Sequence, residues 1–144
     1  MICPSLVCWQ PHAITPSCEA PTLVTSLPAP STPACLDLAQ LLHTAVAQAF
    51  NAVVITNAAL DGEGPCITYC NPAFCRMTGY TEQELLGRSP RLLQGPHTDP
   101  QVLQRLRECL RSGTFFQGST VNYRKDGSSY LVEWNISPVR DAQG

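Results

Sequence analysis

A chain of 144 residues is long enough for one domain with a real core and leaves little for a second. Its formal charge of −2, from 9 Lys+Arg against 11 Asp+Glu, supplies neither the basic face that nucleic-acid binding needs nor a polybasic membrane patch. No run approaches the roughly 18 consecutive apolar residues of a spanning helix, and the N-terminus lacks a basic-then-apolar secretory signal, so a cytoplasmic location is expected.

In chain order, residues 1–34 carry seven prolines among Ser, Thr and Ala, with no helical or alternating period, and are expected to form a disordered leader. A flanking helix is expected within 35–50, where Leu38, Leu41, Leu42, Ala45, Val46 and Ala49 fall at helical spacing. Such a stripe packs on the chain's own sheet or on a second copy. AVVITN at 52–57 and CITYC at 66–70 read as two strands joined by the turn-rich DGEGP. NPAFCRMTGY is a short helix closed by Gly79, and Thr81 to Glu84 is a capping box for another, which Gly87 ends. Asp99-Pro100 opens a longer helix with Val102, Leu103, Leu106, Cys109 and Leu110 on one face, ending at Gly113. Phe115 to Lys125 and Ser128 to Val139 then form a hairpin turning at Asp126-Gly127. This order predicts an α+β fold, an antiparallel sheet with short helices gathered on one face.

The eight cysteines, at 3, 8, 18, 35, 66, 70, 75 and 109, show no C-x2-C pairing, so they read as small hydrophobes rather than zinc or iron–sulfur ligands. His12, His43 and His97 have no metal spacing, and no nucleophile elbow, P-loop or paired-carboxylate motif is present. The chain is therefore not expected to be an enzyme.

NPAFCRMTGY, ELLGRSPRLLQGPHTDP and NYRKDGSSYLVEWNISPVRDAQG, taken in this order, resemble successive blocks of PAS domains over residues 51–144. GRSPRLLQGP is similar to the signature of the light-oxygen-voltage branch, which reads roughly GRNCRFLQGP and holds the flavin-reactive cysteine. Pro90 stands at that cysteine position, and proline has no nucleophile. Cys66 and Cys70 are the thiols that would substitute if the fold brought a sulfur near the ring. The resemblance implies a flavin mononucleotide (FMN) pocket, with Arg91 and Arg107 on its phosphate, Gln94 beside the phosphate and ribityl chain, and Asn122 at the ring's polar edge. The branch's second edge asparagine aligns with Val132, and the asparagine before its cysteine aligns with Ser89. It also implies a last strand bearing a glutamine, which is missing before Gly144.

By the same resemblance, the expected function is a sensory and signal-transduction module relaying ligand or redox state through protein–protein contact. The alternatives are a flavin-binding redox sensor without a cysteinyl photoadduct, and an incomplete, non-functional fragment of a larger signalling protein. Self-association through the 37–50 helix is expected, as is an output domain such as a histidine kinase or diguanylate cyclase.

Overall fold

The computed structural model describes residues 5–10, 37–62 and 64–140. Its first strand, β1 (Ser5–Gln10), comes from the expected leader. Leu6 to Trp9 form an apolar, β-prone run between Pro4 and Pro11, which the proline-rich composition of the surrounding segment obscures. The rest of the leader, residues 1–4 and 11–34, lies outside the described residues.

Helix α1 (Leu38–Ala47) starts where Asp37 accepts a hydrogen bond from the Ala39 N–H at 3.3 Å. None of its residues is buried, and Leu38, Leu41 and Leu42 are exposed. The Leu38, Leu41 and Leu42 part of its apolar stripe is therefore not packed on the chain's own sheet, while Val46 and Ala49 are half-buried and the His43 ring meets Tyr69 edge-on at 6.0 Å between centroids.

Strands β2 (Ala52–Thr56) and β3 (Ile67–Cys70) pair antiparallel, with Val54 opposite Cys70. The loop between them is closed by Asn57, whose side chain accepts from the Cys66 N–H at 2.8 Å and whose own N–H donates to the Cys66 carbonyl at 3.0 Å. Helix α2 (Pro72–Thr78) follows the Asn71 cap and stops at Gly79, where φ is +77°. The Thr81–Glu84 capping box opens α3 (Glu82–Leu85). A 3-10 turn at Pro90–Leu93, which periodicity did not reveal, precedes α4 (Pro100–Ser112). Strands β4 (Phe116–Tyr123) and β5 (Ser129–Pro138) complete the expected hairpin.

The sheet order is β3-β2-β1-β5-β4, antiparallel throughout. No strand follows β5 among the described residues. The position between β2 and β5 is filled by β1. The core lies between sheet and helices, where Val54, Ile67, Phe74, Leu85, Leu93, Phe116, Trp134 and Ile136 are buried. Each such side chain stabilises the fold by about 1.5–3 kcal/mol relative to exposure.

One polar side chain ties this core together. Asn71 is 0% exposed, and its Oδ1 accepts from the N–H groups of Val53 (2.9 Å) and Phe74 (3.0 Å). Its Nδ2 donates to the carbonyls of Val46 (3.1 Å) and Asn51 (2.9 Å), so the end of α1, the start of β2 and the first turn of α2 meet on one amide.

Candidate functional site

Two anchored segments shape a cavity on the inner face of the sheet. In the 3-10 turn, the Ser89 hydroxyl accepts from the Arg91 N–H at 3.5 Å, Pro90 takes the first position, and Leu93 is buried beneath it. Arg91 reaches across to the β2–β3 loop, where its Nη1 donates to the Gly62 carbonyl at 3.2 Å. Gly64, at φ +87°, lies against that guanidinium, and a Cβ there would sit 2.9 Å from it. A side chain at position 64 would therefore displace Arg91.

The second anchor sets α4. The Thr98 hydroxyl accepts from the Gly95 N–H at 2.9 Å and donates to the Val121 carbonyl at 2.6 Å, while the Asp99 N–H donates to Thr120 Oγ1 at 2.8 Å. These bonds pin the N-terminus of α4 to β4 and leave its Leu103, Leu106 and Leu110 row over the sheet.

The cavity has a volume of about 340 Å³, within the usual range for small-molecule sites. The sheet contributes Val54, Thr56, Trp134 and Ile136, and α4 contributes its leucine row. Ser89, Pro90, Arg91 and Gln94 line it from the turn, Arg107 and Arg111 from α4, and Asp61 from the loop. An apolar interior thus opens at a mouth with three guanidinium groups and one carboxylate. Such a mouth suits an anionic group, because the planar donor fork of arginine matches phosphate oxygens.

Arg91, Gln94 and Arg107 are therefore gathered on one cavity. Asn122 is not among them. It lies on β4, 1% exposed, opposite Tyr130 on β5. Neither polar atom of its amide, nor the Tyr130 hydroxyl, makes a well-formed hydrogen bond among the described residues. Burial pushes the Tyr130 phenol up to about 12, with the nearby Asn122 amide and the Arg124 guanidinium offsetting part of the effect. Arg124 lies over the Tyr130 ring at 4.6 Å. Asn122 shares a face with the cavity, since Phe116, Thr120 and Asn122 pair with Ile136, Val132 and Tyr130 along the buried side of the hairpin.

Neither Cys66 nor Cys70 lines the cavity. Cys70 is buried with its Sγ 3.9 Å from Cys75 Sγ, and burial first, then Cys75, pushes its thiol up to about 12. It is a poor nucleophile at neutral pH. Two features went unread in the sequence. Arg111 stands one helical turn after Arg107, a spacing that places both on one side of α4. Trp134 reads as one more apolar residue of an alternating strand, yet it walls the cavity.

The PAS domain family matches residues 51–144. A nitrogen fixation regulatory protein of Klebsiella pneumoniae is 39% identical over 104 residues, which are 72% of this chain and 20% of that protein. Phototropin-1A of Oryza sativa subsp. japonica is 36% identical over 100 residues, 69% of this chain and 11% of that one. The chain thus spans a fifth or less of the length of these two curated relatives. Among solved structures, a light-oxygen-voltage domain whose mechanism was studied with a flavin analogue superposes with a TM-score of 0.61 at 36% identity, covering 74% of this chain and 75% of that one. The sheet with its flanking helices, the motif order and these likenesses agree: the chain belongs to the PAS domain family and is close to its light-oxygen-voltage branch.

Proposed function

We propose that this chain is the sensory module of a signalling protein, and that its cavity takes a phosphate-bearing flavin of the FMN class. The observation that carries the reading is the gathering of Arg91, Gln94 and Arg107 on one apolar-walled cavity. PAS domains are sensory modules rather than catalysts, commonly self-associating or joined to an output domain, and the relatives named above include a regulatory protein and a phototropin.

The residues present suit such a ligand at both ends. Arg91 and Arg107, with Arg111 beside them, would hold the phosphate, and Gln94 would reach the ribityl chain. Asn122 is a buried amide with no well-formed hydrogen bond among the described residues, the kind of group that suits a polar ring edge. Val132 offers no second amide, so the ring edge would be held less tightly than in the branch the chain resembles. A bound flavin supplies visible-light absorption and a redox couple.

Pro90 on the cavity wall favours redox state over light as the sensed quantity, because no cysteine among the described residues lines the cavity. Self-association would run through the exposed Leu38, Leu41 and Leu42 row of α1, and the output partner would be a histidine kinase or diguanylate cyclase.

The test is to purify the chain, record the visible spectrum, release any chromophore by denaturation, and repeat under blue light and under dithionite. A flavin band that bleaches reversibly with reductant, and does not bleach under light into a long-lived state, is the expected result. A colourless protein that also fails to take up added FMN would remove the flavin reading, and a long-lived light-induced bleach would remove the assignment of Pro90.

A further inference from the structure

The strand at the centre of the sheet is the one furthest in sequence from its neighbours. β1 pairs with β2 on one side and with β5 on the other, and β2 and β5 are not neighbours in the sheet order. The β2–β3 pair and the β4–β5 hairpin are therefore joined as a sheet only through residues 5–10.

The register places β1 within the cavity's floor. Val7 stands opposite Val54 on β2 and Ile136 on β5, and both of those residues line the cavity. Trp9 stands opposite Ala52 and Trp134, and Ser5 opposite Thr56 and Pro138, where Trp134 and Thr56 also line it. Directly opposed residues of an antiparallel ladder share a face, so positions 5, 7 and 9 fall on the cavity face. Two strand spacings separate β2 from β5, about 10 Å, and a wall running from Val54 to Ile136 must cross β1.

We propose that β1 is a ligand-coupled part of this domain: it forms the middle of the cavity floor, so that filling the cavity and docking residues 5–10 stabilise one another. The inference deepens the flavin reading above and rests on it for the choice of first probe. A ligand that covers apolar floor gains only where the floor is continuous, and by linkage whatever it gains from β1 it returns as stability of the docked strand. Release of β1 would divide the sheet between β2 and β5 and expose two strand edges able to pair with another chain. Ligand state would in this way be converted into the availability of those edges. The strand comes from before the family-matched block, so the domain's response would depend on residues outside 51–144.

The experiment uses the full chain carrying Asn135→Cys. Cys8 stands opposite position 135 on β5, so oxidised glutathione should link the two, and peptide mass mapping identifies the link. FMN affinity, read by flavin fluorescence, is compared in the oxidised and reduced forms of this one protein, which share a fold, and in Val7→Pro, which removes a ladder donor from β1. Linked β1 is expected to bind FMN about tenfold or more tightly than Val7→Pro, with the reduced form between them. Amides 5–10 are expected to exchange more slowly when FMN is present. Failure to form the 8–135 link overturns the placement of β1 and the proposal with it. Where FMN binds no form, anilinonaphthalene sulfonate serves as an anionic, apolar cavity probe. Tighter binding of that probe by the linked form sustains the coupling while removing the flavin reading, and equal binding by linked and unlinked forms of whichever probe is used overturns the coupling.

Discussion

Two asparagines are buried in this domain to nearly the same degree, and they are used in opposite ways. Asn71 spends its whole amide on four backbone groups drawn from α1, β2 and α2 and the residues flanking them. Asn122 spends none of its amide in a well-formed bond among the described residues. A buried amide costs free energy until it is paired, so the first is a structural joint and the second is a cost that a ligand's polar edge would offset. The lesson is that burial alone does not separate structural from functional polar residues, whereas the state of their hydrogen bonds does.

The sharpest test of this contrast is Asn71→Ala, which leaves two N–H and two C=O groups without their shared partner. It should lower the unfolding free energy by about 3–5 kcal/mol, read by urea melts. A loss below about 1 kcal/mol would mean that the joint is not what holds α1 and α2 in place. Next in size, Asn122→Leu should leave the stability of the ligand-free chain unchanged or raise it slightly, while weakening FMN about tenfold, the equivalent of one lost hydrogen bond. A large loss of ligand-free stability in that variant would erase the distinction between the two asparagines. At the cavity mouth, Arg107→Ala should weaken FMN about fivefold to tenfold through the lost phosphate contact and leave riboflavin, which has no phosphate, unaffected. Equal losses for both ligands would place Arg107 away from the phosphate.

The smallest effect lies at the surface. Glu84 pairs with Lys125 at 2.5 Å, and that hydrogen bond first, with those from Thr81 behind it, holds its carboxyl down to about 2. A depressed carboxyl stabilises the fold fully above its ordinary value of 4.5 and loses that contribution as pH falls toward 2. Glu84→Gln should therefore lower stability slightly at neutral pH and flatten its dependence between those limits, measured by thermal melts across pH. Because both partners are exposed and solvent-screened, the change should be far smaller than that of Asn71→Ala. An effect as large would show that the Asn71 joint is not the dominant polar contribution.

How much of this was legible in the sequence depends on the range of each interaction. Asn71-Pro72, Asp99-Pro100 and Asp126-Gly127 announce their caps and turn because the bonds involved span only a few residues. The reach of Asn71 to Val46 was not readable, since nothing near either residue marks a bond spanning 25 positions. Arg91, Gln94 and Arg107 line one cavity, whereas the residues read alone allowed two solvated arginines and a glutamine that caps a turn. Asn122 was singled out, but the absence of a well-formed hydrogen bond to it among the described residues appears only once its neighbours are in place. β1 was hidden because a six-residue strand carries little signal on its own and depends on two partners more than forty residues away.

That same strand carries a consequence for how the molecule is made. β1 leaves the ribosome well before its β5 partners, Glu133 to Pro138, which follow more than a hundred residues later. Hydrophobic contacts of such long sequence separation form late and slow the folding of sheets. During synthesis Leu6 to Trp9 can pair on one side once β2 has emerged, but the edge that faces β5 stays open until three more helices and two more strands have formed behind β2. An apolar β-prone segment held open in this way is exposed to aggregation. The prolines at 4 and 11, which cannot extend a ladder at either end of the run, limit its pairing with other chains until β5 arrives.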